Sequence, residues 1–285
     1  MAIKPVHLTK ALKILLMTSA FPILCISQTL SGWVRDEAGK PIPYVNVVAL
    51  HYFAGAVTDT GGYFELRMTV GDTLQFTHIA YQSQLVAISA ADTVLNVHLQ
   101  SSTTLMDEIV IKAPGKRAGR VVPLGYYHLG GNSSYKLGPG NQVAIWINNT
   151  QQKPGLIQCV QVKIADTGVC NGNIRLRIKR KDPSSSGPGE DILKENIIRP
   201  IHAIRKQLKI DVSEYHLVFP EDGVFIVVEW LYTQELCPAN SYFVLAATTK
   251  GLHNTVWLSF MDKSWSRKPV SAYSNTPKAG LEVRF

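Results

Sequence analysis

Regular alternation between apolar and polar residues over positions 30–88 is the feature that most constrains the fold. Such alternation places one face of an extended segment in a core and the other in water. The segments are short and are separated by Gly, Asp and Pro, most clearly at 59–62, where two glycines suit a tight hairpin. The pattern predicts a small antiparallel β-sandwich. Its predicted inward positions are Phe64, Leu66 and Met68 in one strand, then Leu74 and Phe76 in the next.

The chain after residue 124 has the same period-two character and predicts a second, larger antiparallel sandwich. Its strand-like segments are 143–147, 157–164, 173–180, 206–212, 224–232, 242–248 and 255–260. In one of them Ile174, Leu176 and Ile178 alternate with three basic residues, Arg175, Arg177 and Lys179, which are therefore expected to face water. The apolar run 224–228 fits a central strand that is covered on both faces, and the charged segment 190–194 suggests a helical turn.

Three motifs carry a family resemblance. They read Ser-Gly-x-Val-x-Asp-x-x-Gly-x-Pro-Ile-Pro-x-Val-Asn-Val at 31–47, Val-Thr-Asp-x-x-Gly-x-Phe at 57–64 and Gly-Asp-Thr-Leu-x-Phe at 71–76. Their order and spacing resemble the carboxypeptidase-like regulatory domain, which implies a seven-stranded sandwich of transthyretin-like topology. The version here is most similar to the one at the periplasmic N-terminus of TonB-dependent outer-membrane transporters. The resemblance implies a fold and a location outside the cytoplasm, and it implies no catalytic activity.

The second half has a weaker resemblance to jelly-roll-like modules that accompany this domain in exported bacterial proteins. It is carried by the strand at 174–178, by Gly187-Pro-Gly189, and by the segments 196–198, 210–215 and 227–230. Together the two resemblances imply an all-β chain, with the transthyretin-like sandwich at 28–100, a linker at 101–123 and a jelly-roll-like sandwich at 124–285.

The first 27 residues are predicted to be a cleaved secretory signal peptide. Lys4, Lys10 and Lys13 precede an apolar run at 14–26, and small residues stand before a cut at Gln28. The run is too short to span a bilayer comfortably, and no later stretch is apolar enough to do so. The chain is therefore expected to be extracytoplasmic: periplasmic, on the outer-membrane surface or secreted.

Charge is unevenly placed along the chain, whose formal net charge is +8. Residues 28–100 hold three basic and six acidic groups, whereas 101–285 hold 23 basic and 15 acidic groups. The excess is typical of a soluble surface, and it could also attract acidic polysaccharide, anionic lipid or nucleic acid. Because the chain is predicted to be exported, nucleic acid is not expected as a partner.

The motifs of common hydrolases and nucleotide-binding proteins are absent from the sequence. None of the eight histidines is followed three positions later by Glu, as a zinc carboxypeptidase requires. Neither Gly-x-Ser-x-Gly nor a Gly-x-x-x-x-Gly-Lys-Ser/Thr phosphate loop occurs. We therefore predict no catalytic residues, no metal site and no cofactor, and we do not expect an enzyme.

Three cysteines remain after removal of the signal peptide, so at least one is unpaired. A disulfide between Cys170 and Cys237 is favoured because both fall in predicted loops of an exported protein. A Cys159–Cys170 bridge, or no bridge, is the alternative.

Aromatic residues give the remaining lead to function, since exposed Trp and Tyr rings stack on sugars. The strand tryptophans Trp146, Trp230 and Trp257 are expected in the core. Trp265, flanked by Lys263 and Arg267, is expected to be the most exposed, and these three residues are the candidate ligand-binding site.

The sequence thus predicts an exported, non-enzymatic protein of the envelope or cell surface. Its first sandwich would be a structural or docking module, and its second would bind a glycan or another envelope protein. Two alternatives stay open: a periplasmic accessory of a TonB-dependent transporter, and a glycan- or peptide-active enzyme.

Overall fold

The structure is a computed structural model. It describes residues 27–51, 54–69, 71–89, 93–102, 119–131, 133–138, 140–165, 172–200, 207–231, 243–250, 256–268 and 275–285. Strands dominate these residues, with one 3-10 turn at Ser213–Tyr215, so the predicted all-β class is confirmed. The predicted signal peptide, most of the predicted linker, and Cys170 and Cys237 lie outside the described residues.

The N-terminal sandwich contains seven strands, as predicted. One sheet has three strands in the order β4-β1-β7, and the other has four in the order β3-β2-β5-β6. β1 pairs antiparallel with β4 and parallel with β7. The strands are β1 (Ser27–Asp36), β2 (Asn46–Ala49), β3 (Gly55–Val57), β4 (Tyr63–Thr69), β5 (Thr73–His78), β6 (Tyr81–Ala87) and β7 (Val94–Leu99).

Alternation along β4 and β5 builds the core of this sandwich. The rings of Phe64 and Phe76 meet edge to face, with centroids 5.7 Å apart. The predicted turn at 59–62 is held by Asp59, whose carboxylate accepts hydrogen bonds from the N–H groups of Gly61 and Tyr63. All five predicted inward residues are buried in one cluster: Phe64, Leu66, Met68, Leu74 and Phe76.

The C-terminal sandwich contains the remaining fifteen described strands. They are β8 (Val121–Gly125), β9 (Ser133–Leu137), β10 (Asn141–Asn148), β11 (Gly155–Lys163), β12 (Asn173–Lys181), β13 (Pro188–Asp191), β14 (Ile197–Pro200), β15 (Gln207–Asp211), β16 (Val218–Phe219), β17 (Gly223–Leu231), β18 (Phe243–Thr248), β19 (Val256–Phe260), β20 (Ser266–Arg267), β21 (Thr276–Pro277) and β22 (Ala279–Arg284).

Many of the connections in this sandwich cross between two facing sheets, as in a jelly roll. One sheet runs β8-β22-β11-β15, with β16 paired to β11. The facing seven-stranded sheet runs β13-β12-β17-β10-β19-β20, with β14 also paired to β12. A smaller sheet, β21-β18-β9, joins β11 through a bridge between Ile164 and Leu245. The predicted jelly-roll-like sandwich is therefore confirmed.

β17 is the central strand of the seven-stranded sheet, and all nine of its residues are buried. Ile226 and Val228 point into the core between the facing sheets, whereas Phe225 and Val227 point to the opposite face. The continuous apolar run predicted to be covered on both sides is thus confirmed. The face turned away from this core is called the outer face below.

The outer face of the seven-stranded sheet packs against the outer face of the four-stranded N-terminal sheet. Asn46 of β2 and Thr77 of β5 are neighbours in register, and both side chains reach Asp262 of the C-terminal sandwich. An apolar cluster beside them joins the two sandwiches: Val48, Val57, Leu231 and Met261.

Two sequence predictions about β12 and the segment that follows it are wrong. The expected helical turn at 190–194 is not formed: residues 190–191 belong to β13, which pairs with β12 through Lys179 and Asp191, and 192–194 are irregular. The three basic residues of β12 do not face water: Arg175 is 2% exposed, and Arg177 and Lys179 are 7% exposed. Alternation indicates that they point away from the core of their own sandwich. It does not indicate that Arg177 and Lys179 are buried with Asp191, or that Arg175 contacts the N-terminal sandwich.

No helix among the described residues is both long and apolar enough for a membrane crossing.

Candidate functional site

Strand pairing arranges the outer face of the seven-stranded sheet in rows. Antiparallel partners point to the same side of a sheet, so register alone tells which residues are neighbours. The rows from β12 towards β19 are Arg175, Glu229, Gln142 and Ser259; then Arg177, Val227, Ala144 and Trp257; then Lys179, Phe225 and Trp146. One corner of the face is therefore charged, and the opposite corner is aromatic.

The charged corner is an ionic cluster of three cations and three carboxylates: Arg175, Arg177, Lys179, Asp191, Glu229 and Asp262. Arg175 pairs with Glu229 at 3.1 Å. Arg177 pairs with Asp191 and Asp262, each at 2.5 Å, and Lys179 pairs with Asp191 at 2.9 Å. Because the formal charges balance, burial of the cluster leaves no net charge uncompensated.

Asp262, in the turn after β19, is the carboxylate that ties the cluster to the N-terminal sandwich. Burial alone would raise the pKa of Asp262, but Arg177, Lys179 and Arg175 outweigh burial and hold that pKa well below its ordinary value. The carboxylate accepts hydrogen bonds from the side-chain amides of Asn46 at 3.0 Å and Gln142 at 3.1 Å. Asp262 is therefore ionised and bonded from both sandwiches.

Arg175 makes a second connection between the sandwiches. Its guanidinium donates to the backbone carbonyl of Tyr44 and, at 3.4 Å, to Asn46 Oδ1. Tyr44 has a positive φ of 61°, a conformation that bulky residues rarely adopt. The turn before β2 is thereby held with its carbonyl towards the cluster.

His78 closes the junction at its edge. Its Nδ1 accepts the N–H of Ala80 at 3.1 Å, and burial, with Arg175 and Arg177, lowers the pKa of His78 to about 4. The ring is thus neutral at pH 7 and carries its proton on Nε2, which lies 3.2 Å from the Asn196 amide. The Asn196 atom at that distance is Nδ2, itself a donor, so the amide must rotate by 180° for Oδ1, which otherwise has no partner, to accept that proton.

The aromatic corner, called the aromatic patch, consists of Trp146, Phe225, Trp257 and Trp265. Trp146 and Phe225 have ring centroids 4.8 Å apart, and all three tryptophans are half-buried against Ala144, Phe225 and Val227. The ammonium of exposed Lys181 lies 5.2 Å from the Trp146 ring centroid, within cation–π range.

A turn at 182–187 lies along one side of the aromatic patch. Asp182 accepts hydrogen bonds from the hydroxyls of Ser184 and Ser185, which fix the turn. Gly187 rests on the Trp257 ring, and an added Cβ would come within 3.0 Å of a ring carbon. Trp257 is thus partly covered, and only part of the patch is open.

The three residues of the predicted ligand-binding site are divided by the structure. Trp265 packs in the aromatic patch. Arg267 is exposed on β20, directly paired with Trp257 and therefore on the same face. The Lys263 ammonium instead donates to the Leu50 carbonyl of the N-terminal sandwich at 3.2 Å. Trp265 and Arg267 thus lie at the patch, and Lys263 lies at the junction.

Sequence reasoning missed two of the tryptophans at this surface. Trp230 is core, as expected, but the same expectation is wrong for Trp146 and Trp257. The signal was available, since Trp146 alternates with the core residues Ile145 and Ile147 and must point to the opposite face. Lys181 and Phe225 could not be placed beside it without the register.

Cys159 is a buried free thiol. The described residues contain no group of three or more His, Cys, Asp or Glu side chains that could hold a metal ion.

Comparison with known proteins gives a family for the first part of the chain. Residues 30–111 match the model of the CarboxypepD_reg-like domain. TonB-dependent receptor SusC of Bacteroides thetaiotaomicron is 34% identical over 109 residues, and TonB-dependent receptor P39 of Formosa agariphila is 30% identical over 107. Each match covers 36% of this chain, which spans about a tenth of the length of either receptor, 11% and 10%.

Solved structures resemble the chain only distantly. One is a chain of a type II cohesin–X-dockerin complex from Acetivibrio cellulolyticus. The alignment covers 26% of this chain and 58% of that one, at 23% identity and a TM-score of 0.23. Another is a candidate carbohydrate-binding protein from Bacteroides uniformis. The alignment covers 82% of this chain and 98% of that one, at 10% identity and a TM-score of 0.21.

The seven-stranded fold, the three motifs and the family match agree. Residues 30–111 are a CarboxypepD_reg-like domain, which the matched TonB-dependent receptors also carry.

Proposed function

We propose that the chain is a non-enzymatic, extracytoplasmic binding protein of the envelope or cell surface, and that its aromatic patch holds a glycan. One observation carries the proposal: Trp146, Trp257 and Trp265 gather, half-exposed, on an outer sheet face. Half-exposed indole rings can stack on the apolar face of a pyranose. Lys181 and Arg267 lie beside them and can bind sugar hydroxyls or carboxylates.

The N-terminal sandwich serves as the rigid support of this binding surface. Its four-stranded sheet lies on the charged corner of the outer face and leaves the aromatic corner uncovered. The ionic cluster spans the junction, with Asp262 and Arg175 each bonded to Asn46. A junction with this many charge-assisted bonds holds the two sandwiches in one orientation.

An extracytoplasmic address is supported by two independent features. The first 27 residues have the charge order and apolar length of a signal peptide. The CarboxypepD_reg-like domain is shared with two TonB-dependent receptors. We propose accordingly that the mature chain works in the periplasm, on the outer membrane or outside the cell.

Binding to immobilised neutral and acidic polysaccharides tests the function. The full mature chain should be retained by at least one polysaccharide, and Trp146→Ala or Trp265→Ala should weaken binding about tenfold or more, the loss expected for one stacked ring. Trp33→Ala is the matched control. Trp33 is 36% exposed and pairs with Tyr63 on the N-terminal sandwich, away from the aromatic patch.

If Trp146→Ala and Trp265→Ala bind as tightly as the Trp33→Ala control, the aromatic patch is not the binding site. If the wild-type chain binds none of the polysaccharides, the glycan proposal is contradicted. Release of new reducing ends from a bound polysaccharide would favour the glycan-active enzyme instead.

A second candidate function is an accessory of a TonB-dependent transporter. It is supported by the shared domain at 30–111. Co-purification of the full chain with an outer-membrane transporter, lost on substitution of Trp33 but not of Trp146, would favour this role over glycan binding.

A further inference from the structure

We propose a second binding site, for a small oxyanion, in the C-terminal sandwich away from the aromatic patch. A cavity of about 430 Å³ lies where β9, β18 and the connection between β21 and β22 meet. It is lined by Gly131, Ser133, Ser134, Ala246 and Lys278. Its chemistry is that of an anion site, and it does not depend on the glycan proposal.

Lys278 is the charged residue among the described residues that line this cavity. It is 8% exposed, although lysines are rarely buried so far unless they are paired with a carboxylate. Its backbone is fixed on both sides: its N–H donates to the Ala246 carbonyl at 2.8 Å, and its own carbonyl accepts from Lys163 at 2.9 Å. The point from which the side chain starts is therefore fixed at the wall of the cavity.

The ammonium of Lys278 is incompletely partnered. Nζ donates to the Gly131 carbonyl at 2.7 Å, which uses one of its three donors and supplies no negative charge. Lys278 forms no ion pair with any carboxylate in the described part of the chain. A buried cation without a counter-charge is costly, and an oxyanion in the adjoining cavity would provide that charge.

The walls of the cavity suit an anion. Ser133 and Ser134 have hydroxyl donors, and none of the five described residues that line the cavity is acidic. The neighbouring loop is preformed: Gly131 has φ of 102°, and Thr248 Oγ1 donates to the Gly130 carbonyl at 2.7 Å and accepts the Lys250 N–H at 3.1 Å. The Lys250 side chain approaches the same loop and adds positive charge.

The size of the cavity limits the ligand. At about 430 Å³ it falls near the lower end of the range for small-molecule sites. A sulfate, a phosphate or one carboxylate-bearing sugar fits such a volume. The shared chemistry is an oxyanion that accepts hydrogen bonds from one ammonium and from a hydroxyl.

Titration calorimetry with inorganic phosphate, sulfate and glucuronate, at constant ionic strength set by chloride, tests the site on the full mature chain. At least one probe should bind saturably, and Lys278→Met should weaken it about tenfold or more. Lys278→Arg should retain binding because it keeps the charge. Lys153→Met, which removes an exposed ammonium near Phe285, is the matched control and should bind as wild type.

The three probes distinguish the source of the anion. Binding of phosphate or sulfate alone indicates an inorganic or esterified oxyanion, whereas binding of glucuronate indicates an acidic sugar, and both support the site. Absence of saturable binding by the wild type, or equal binding by Lys278→Met, would overturn it.

Thermal melting in chloride buffer gives a second readout. Since Lys278→Met removes a buried charge that has no counter-charge among the described residues, the variant should melt at or above the wild-type temperature without anion. It should also lose the rise in melting temperature that the bound probe gives the wild type. A variant that melts lower than wild type in chloride, with no probe-dependent rise in either protein, would show that the lysine is merely structural.

Discussion

Replacement of Asp262 by Asn tests the ionic cluster where it joins the two sandwiches. The substitution keeps the size of the side chain but removes the charge that faces the Arg177 guanidinium at 2.5 Å. Arg177 is 9% exposed and Asp262 is 15% exposed at the side chain, so water cannot replace the lost partner. Asn46 and Gln142 lose the charged acceptor of their amide hydrogen bonds at the same time.

The size of the effect follows from the environment of the pair. Removing one partner of a buried ion pair costs about 3–5 kcal/mol. Arg177 keeps its second carboxylate, Asp191, so the lower end applies, and we expect Asp262→Asn to reduce the free energy of unfolding by about 3 kcal/mol. Because the pKa of Asp262 lies below its ordinary value in the folded protein, this stabilisation is present above about pH 4 and is lost as pH falls further.

Urea unfolding followed by far-UV circular dichroism at pH 7 measures the loss. The matched control is Lys209→Met, which breaks the exposed Lys209–Glu282 pair, where the lysine side chain is 59% exposed and the glutamate 28%. An exposed pair contributes less than about 1 kcal/mol. If Asp262→Asn costs no more than Lys209→Met, the charged corner is solvated and the reasoning is refuted.

Three further predictions concern other parts of the fold. The free energy of unfolding should fall by on the order of 3 kcal/mol as pH drops from about 6.5 to about 4, because His78 gains its proton at a higher pH in the unfolded chain than in the folded protein. Urea unfolding at a series of pH values measures this, and His78→Gln should reduce the pH dependence. Gly32→Ala should lower the free energy of unfolding by about 2 kcal/mol, because the added methyl overlaps the Leu95 carbonyl oxygen; a melting curve equal to wild type would contradict this. Cys159 should stay unlabelled by iodoacetamide in the folded protein and react in urea, since burial raises the pKa of its thiol to about 11; peptide mass mapping reads the result.

The N-terminal sandwich could be predicted well because its signals are local. Each of Phe64, Leu66, Leu74 and Phe76 points inward because side chains alternate along a strand, and no distant residue changes that. The family resemblance implies seven strands, but alternation does not identify β6, because it is an edge strand of mixed polarity in which Leu85 remains 60% exposed. An edge strand that buries little apolar surface leaves a weak pattern.

The outer face of the jelly roll could not be predicted because its partners are distant in sequence. Arg177 finds Asp262, 85 residues away, and Asn46, more than a hundred residues upstream of β12, covers the same cluster. The basic residues of β12 could be exposed to water or buried in an ionic cluster, and the local sequence is the same in both cases. Only the packing of distant segments on this face decides between them. The strand at 188–191 was missed for the same reason, since its pairing with β12 overrides the local charge pattern.

Arginine-selective labelling of the native protein, read residue by residue by mass spectrometry, tests most directly whether the N-terminal sandwich closes the charged corner of the outer face. We predict that Arg175 and Arg177 stay unmodified, while the exposed Arg67, Arg199 and Arg267 react. Modification of Arg175 and Arg177 at the rate of the exposed arginines would contradict the account.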